Sequence, residues 1–248
     1  MHSFRLLTIV ALSVVVLAPA RTGVAQQRPG IRAQVIAPEG CSISGPVDTE
    51  DMYYFISTQI QALSFARAGE RAGFRTSAAG GDTPLRQVPN FAGLKEERID
   101  NTCAGFLLSP YASSKIEGVA TVAKYLVFAY DELAKMSDEM LGITLRGAYA
   151  GPSTRVVELS NWNRRRQEIL SNMTDAVNLS LSLLIRTDAE GKPSDLILSR
   201  EERHSLLSYL NSEFPVGGNP GAIGYSGDFV KQAAMIRSFL SGGYKFGN

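Results

Sequence analysis

Residues 154–185 read TRVVELSNWNRRRQEILSNMTDAVNLSLSLLI, the longest stretch of the chain with apolar residues at the spacing of an α-helix. An amphipathic helix buries such a stripe against other elements of its domain. Because a helix of this length reaches across a whole domain, we predict that it holds both halves of the chain in one core. The repeating apolar positions are Leu159, Trp162, Leu170, Met173, Val177 and Leu184.

The segments on either side of this helix also have helical patterns and give little sign of strands. Ser199 and Glu202 have the spacing of a capping box at the start of one of them. Residues 183–198 have the pattern of one small β-hairpin, whereas the Gly- and Pro-containing residues 76–93 predict a long loop. The expected fold class is all-α, a single-domain bundle of five to six main helices. The other helical segments are 51–71, 95–108, 115–136, 138–146, 200–214 and 228–241.

The N-terminal residues have the composition of a cleavable export signal. A short basic start is followed by a 13-residue, mostly apolar run, Leu6 to Ala18, and then by small residues. Cleavage is expected after Ala20 or Ala25. The run is shorter than the roughly 20 apolar residues of a spanning helix, which favours a signal peptide over a membrane anchor.

This signal defines the expected organisation of the chain. We predict a signal peptide at 1–25, an extended N-terminal arm at 26–47 and an α-helical domain at 48–248. No later segment is long and apolar enough to span a bilayer, so no membrane span is expected after the signal is removed. The mature protein is predicted to be periplasmic or secreted.

The chain contains two cysteines, Cys41 and Cys103. In an oxidising compartment an isolated pair of cysteines usually forms a bond. We therefore predict one disulfide bond, which would tie the N-terminal arm to the helix at 95–108. The alternative is a pair of reactive thiols, but their spacing is not that of a CxxC redox motif.

The charge balance excludes several classes of partner. Removing residues 1–25 takes away two basic residues and no acidic ones, which turns a net charge of +1 into −1. A near-neutral chain without a long basic run gives no electrostatic reason to expect nucleic-acid binding. Net charge does not favour a membrane surface either.

The familiar catalytic and metal-binding patterns are not found in the sequence. His204 is the one histidine after removal of the signal, and zinc sites usually combine several His or Cys ligands. A serine nucleophile would need a neighbouring base, and no Gly-x-Ser-x-Gly motif surrounds any serine. The Gly-rich residues 217–227 lack the lysine of a P-loop. No cofactor, metal ligand or catalytic residue is therefore predicted, although paired carboxylates could still act without histidine.

One residue breaks the pattern of the long helix. Arg166 falls near the centre of the apolar stripe, and a buried charge must be paired or must reach water. Glu70 lies in line with apolar residues of the helix at 51–71, which motivates a buried Arg166–Glu70 pair. That pair would be an interhelical salt bridge, unless helix 51–71 frays at Gly69 and leaves Glu70 solvated. Otherwise Arg166 would face an anionic ligand beside Trp162.

Three functions remain open at this point. The leading hypothesis is an exported, non-enzymatic binding module that recognises an unidentified component of the cell envelope or the extracellular space. The alternative is a bundle that binds a small molecule or a lipid in a core cavity near Trp162, Arg166 and Glu70. The third is a hydrolase that uses carboxylates alone.

Overall fold

The computed structural model describes residues between 38 and 242, with several gaps. The predicted signal peptide lies outside the described residues, as do most of the predicted N-terminal arm and residues 217–226 of the Gly-rich segment. The described residues are 38, 41, 47–77, 86–89, 91–146, 152–215 and 227–242.

The described residues form six α-helices and one short 3-10 helix, which confirms the predicted all-α fold class. The helices pack mainly on their neighbours in the chain: α1 on α2, α2 on α3 and α3 on α4. Helix α6 contacts α1, α4 and α5. In chain order the helices are α1 Met52–Gly73, α2 Phe91–Leu108, the 3-10 helix Ser109–Ser113, α3 Glu117–Arg146, α4 Pro152–Ser182, α5 Arg200–Glu213 and α6 Gly227–Leu240.

Polar side chains accept backbone N–H groups at the starts of two of these helices. The Asp51 carboxylate accepts the backbone N–H of Tyr53 at 2.8 Å, next to the start of α1. At the start of α5, Ser199 Oγ accepts the N–H of Glu202 at 3.2 Å, and Glu202 Oε2 accepts the N–H of Ser199 at 2.7 Å. The predicted capping box is therefore confirmed.

Four short strands form two antiparallel hairpins among the described residues. Strands β3 (Ile185–Thr187) and β4 (Pro193–Leu196) confirm the predicted hairpin. Strands β1 (Phe74–Ser77) and β2 (Arg86–Pro89) instead correct the prediction of an unbroken loop after α1. A four-residue strand is too short to show a reliable alternation of apolar and polar residues in the sequence. Its pairing depends instead on where the two adjoining helices end and begin.

Helix α3 is one continuous helix, and the predicted break near Ser137 is wrong. The Ser137 hydroxyl donates to the Leu133 carbonyl at 3.1 Å and is buried. A serine whose hydroxyl bonds to the preceding turn satisfies its own polar group and can remain inside a helix. Ser137 was interpreted as the start of a new helix because a serine hydroxyl also favours the N-terminal cap position of a helix.

The buried apolar side chains form two separate clusters. The large core contains residues of α1, α3, α4, α5 and α6, including Phe55, Leu133, Leu170 and Phe229. The small core lies where α2, α3 and α4 meet, and it consists of Leu94, Met136, Met140, Ile143 and Trp162. Five of the six predicted stripe residues of the long helix are buried, and Leu159 is half-buried against the small core.

Cys41 and Cys103 are joined by a disulfide bond, as predicted. The bond attaches a residue of the N-terminal segment to the buried face of α2, where Cys103 is almost inaccessible to solvent. In the chain-entropy account, closing a loop of this size stabilises a fold by about 4 kcal/mol. Within the described part of the chain, no helix combines the length and the apolar character needed to cross a membrane.

Candidate functional site

The two charged residues that the sequence singled out contact each other. Arg166 on α4 donates from Nη2 to Glu70 Oε1 on α1 at 2.8 Å. Each side chain is only 1% exposed. Helix α1 continues past Gly69 to Gly73, so the fraying that would have solvated Glu70 does not occur. The predicted Arg166–Glu70 ion pair is therefore confirmed, whereas the role of these residues in ligand binding stays a prediction.

A second carboxylate, which the sequence reasoning missed, shares the same guanidinium group. Glu97 on α2 places Oε1 3.2 Å from Arg166 Nη2, and its side chain is 0% exposed. The sequence did contain a signal, because Glu97 lies at helical spacing with the buried residues Ala104 and Leu108. That signal was lost when the second helix was predicted to begin at Lys95, since Glu97 then fell in a first turn where acidic residues are common.

Trp162 forms the apolar wall of this acid–arginine cluster, by which we mean Glu70, Glu97 and Arg166. The Arg166 Cζ atom lies 5.5 Å from the centre of the Trp162 ring, a distance compatible with a cation–π contact. The indole N–H donates to the Met136 carbonyl at 2.8 Å, which holds the ring in the small core. The three residues predicted to lie near one another, Trp162, Arg166 and Glu70, are thus brought together.

The acid–arginine cluster lies between the two apolar cores. On α4, Arg166 comes between Trp162 of the small core and Leu170 of the large core. On α3, Leu133 of the large core is followed one turn later by Met136 of the small core, and the buried Ser137 comes next. The polar layer therefore divides the apolar interior where four helices meet.

Burial raises the pKa of the acidic groups in this region. The pKa of Glu70 is raised to about 7 because burial disfavours its charged form more than the Arg166 guanidinium favours it. Burial also raises the pKa of Glu97, with Arg166 and the Ser137 hydroxyl lowering it in part. Nearby Asp100 has its pKa raised to about 6 by burial and by the charge of Glu96. A carboxyl group in this layer therefore holds its proton to a higher pH than usual.

An open groove of about 610 Å³ runs between α3 and α4 above the small core. Two ion pairs cross it, one between Arg165 and Glu139 and one of 3.6 Å between Arg146 and Glu158. Trp162 contributes to its wall, whereas Arg166 does not. The groove thus has an apolar floor and charged sides of both signs. Its lining residues are Lys135, Asp138, Glu139, Gly142, Ile143, Arg146, Glu158, Asn161, Trp162 and Arg165.

Of the eight large exposed apolar side chains among the described residues, four lie close along the chain to residues of the small core. These are Phe91, Leu145, Val156 and Val157, which are 45%, 56%, 65% and 60% exposed. Each lies within three residues along the chain of a side chain that belongs to the small core or packs against it. We call these four residues the end face. Leu145 and Val157 are adjacent in the chain to the groove-lining residues Arg146 and Glu158.

Other predicted candidates lie elsewhere in the fold. His204 is exposed on α5, and no group of three or more His, Cys, Asp or Glu side chains suited to a metal ion occurs among the residues that the structure describes. The disulfide bond joins Cys41 to a different part of α2 from Glu97. No family model, curated protein or solved structure matches this chain.

Proposed function

We propose that this protein is exported and binds a partner protein through the end face and the adjoining groove. The observation that carries this proposal is that four of the eight large exposed apolar side chains among the described residues lie close along the chain to the small core and the groove. Scattered surface hydrophobic residues are ordinary, whereas several large ones at one place mark an interaction surface. The charged sides of the groove would provide the polar rim that surrounds the apolar centre of a protein interface.

Two features support export. The first 25 residues have the order of a signal peptide, with a basic start, an apolar run and small residues. The Cys41–Cys103 bond fits an oxidising compartment, where such bonds persist. N-terminal sequencing of the protein isolated from its source should find a chain that begins at Arg21 or Gln26. A mature chain that retains Leu6 to Ala18 would contradict this part of the proposal.

Site-directed photocrosslinking in intact cells tests the binding surface. A photoreactive amino acid at Val157 or Leu145 should form a covalent adduct with a second protein, which mass spectrometry then identifies. The matched control is Leu179, which is 47% exposed at the other end of the same helix as Val157. Adducts from the end face but not from Leu179 support the proposal. Equal yields at all three positions, or none, would contradict it.

The groove also supports a second candidate function, the binding of a small molecule. Its volume of about 610 Å³ is within the range of roughly 300–1,000 Å³ found for ligand pockets. Because its sides carry charges of both signs, the ligand class it fits best is zwitterionic. Native mass spectrometry of the purified mature protein should then detect a bound small molecule. Arg165→Ala should release it, whereas Arg164→Ala should not, since Arg164 pairs with Glu168 outside the groove.

Catalysis by carboxylates alone gains no support from the geometry. Glu70 and Glu97 approach the same guanidinium group, but their side chains are 1% and 0% exposed. A general acid or base has to come within hydrogen-bonding distance of its substrate. The arrangement therefore favours a role for these two residues inside the fold.

A further inference from the structure

The acid–arginine cluster contains more negative than positive groups. Two carboxyl groups approach the single Nη2 atom of Arg166, at 2.8 Å from Glu70 and 3.2 Å from Glu97. If both carboxyl groups were ionised, they would place a net charge of −1 among side chains that are at most 1% exposed. An uncompensated buried charge is costly, and a buried acid usually takes up a proton instead.

The charged groups around the cluster increase this imbalance. From α2, Asp100 acts on Glu97, and from α6, Asp228 acts on Glu70, both of them as negative groups that disfavour a second ionised carboxylate. On α3, the group next to Glu97 is the Ser137 hydroxyl, which carries no charge. Among the described residues, Arg166 on α4 is the positive group that acts on both carboxyl groups.

We propose that Glu70 and Glu97 share one proton in the folded protein, and that its release as the pH rises loosens the packing of α4 against α1 and α2 beside Trp162. The proton leaves a carboxyl oxygen for solvent, and both acids are then ionised against one guanidinium group. This repulsion acts at the junction of the two cores and next to the wall of the groove. The proposal is independent of what the groove binds, since it concerns the interior of the fold alone.

The direction of the pH effect follows from the raised pKa of Glu70. Its ordinary value is 4.5 and its value in the folded protein is about 7. Between these values the unfolded chain has lost its proton while the folded protein keeps it, so stability falls as the pH rises. The shared proton by itself should increase the equilibrium constant for unfolding by about tenfold per pH unit in this window, and Asp100, whose pKa is also raised to about 6, adds to the slope below that pH. Above the window the dependence should disappear.

The chain carries its own reporter of this event. Trp162 is the one tryptophan, and Arg166 lies against its ring. Its fluorescence should therefore change in a single step centred near neutral pH when the folded protein is titrated. Glu97→Gln removes the excess acid while keeping the Glu70–Arg166 pair, so its titration should be flat. Asp100→Asn is the matched control and should retain the step.

Three results would overturn the proposal. They are a flat titration of the wild-type protein, a step that persists in Glu97→Gln, and a step that disappears in Asp100→Asn alone. If Glu97→Gln fails to fold, infrared spectroscopy of the wild-type protein replaces it. A protonated carboxyl band that is present in the folded protein at pH 5.5 and lost by pH 8, while the Asp100→Asn variant keeps the same change, supports the proposal. Absence of that band at pH 5.5 would also overturn it.

Discussion

Two buried polar contacts join α1 to α4, and they differ in charge. Near one end, Ser180 Oγ donates to Gln59 Oε1 at 2.9 Å, with both side chains at most 2% exposed. Near the other end, Arg166 donates to Glu70 at the similar distance of 2.8 Å. The Ser180–Gln59 contact contains no titratable group, whereas the charged contact includes a second acidic residue, Glu97, 3.2 Å from the same Arg166 nitrogen. Equal burial and equal distance therefore give contacts with different sensitivity to mutation and to pH.

The largest difference is expected when the donor of each contact is removed. Arg166→Met leaves Glu70 and Glu97 buried without their counter-charge and should lower the free energy of unfolding by about 3–5 kcal/mol at pH 8. At pH 5 the loss should be smaller, because in the variant, which lacks Arg166, both acids can then be neutral. Urea unfolding followed by circular dichroism measures this, with the exposed Arg164→Met as the control. A variant as stable as the wild type at pH 8 would refute the assignment.

The next largest difference is expected in how removal of each contact changes the pH dependence of stability. Because the pKa of Glu70 rises from 4.5 to about 7 on folding, its contribution to stability is fully present below pH 4.5 and is lost as the pH rises through about 7. The full shift corresponds to about 3 kcal/mol. Ser180→Ala should keep this dependence, since its contact carries no charge, whereas Glu97→Gln should remove most of it. Parallel curves for Glu97→Gln and the wild type in urea unfolding would show that the charged cluster does not titrate.

A smaller loss of stability is expected from a substitution that forces α1 and α2 apart beside the charged contact but leaves its charged groups unchanged. A Cβ atom added at Gly69 would lie 2.8 Å from both the Asp100 Cβ and the Glu97 Cα, and these atoms cannot move without the backbone of α2. Gly69→Ala should therefore cost about 1–2 kcal/mol through overpacking. In the control Gly118→Ala, the new atom meets only the flexible end of Leu183. Thermal denaturation that ranks the two variants in the opposite order would contradict the close approach of α1 and α2.

The neutral contact should give the smallest effects. Ser180→Ala leaves the Gln59 amide oxygen without its donor and should cost about 1 kcal/mol. Combining it with Gln59→Leu removes both polar partners and should bring stability back to within about 0.5 kcal/mol of the wild type. A double-mutant cycle from urea unfolding measures the recovery. If the double variant is less stable than Ser180→Ala, the polar contact has a further role that its geometry does not show.

The sequence predicted those parts of the fold that depend on local spacing. The long helix, the capping box at Ser199 and the hairpin after α4 are all set by residues close together in the chain. The Arg166–Glu70 pair was also predictable, because each residue interrupts an apolar stripe at helical spacing. Two such interruptions in an otherwise apolar interior leave few other ways to neutralise the charges.

What the sequence could not supply depends on contacts between distant segments. The excess of acid in the cluster appears only when α2 brings Glu97 to a guanidinium group already used by Glu70. Likewise the groove forms from two helices whose exposed faces look ordinary when each is taken alone. Charged residues within the apolar stripe of a single helix therefore identify members of a buried cluster. The net charge of the cluster can be determined only once the packing of all the helices is known.

The pair of contacts along α1 and α4 also limits how these helices can come together. They are antiparallel in this pairing, with Arg166 opposite Glu70 and Ser180 opposite Gln59. A slide of one turn, about 5.4 Å, would set Arg166 against the level of Ala66, which offers no charged partner. Displacement by one turn would leave the buried Arg166 without its carboxylate partners, which is costly, so the polar contacts favour the observed alignment of the two helices.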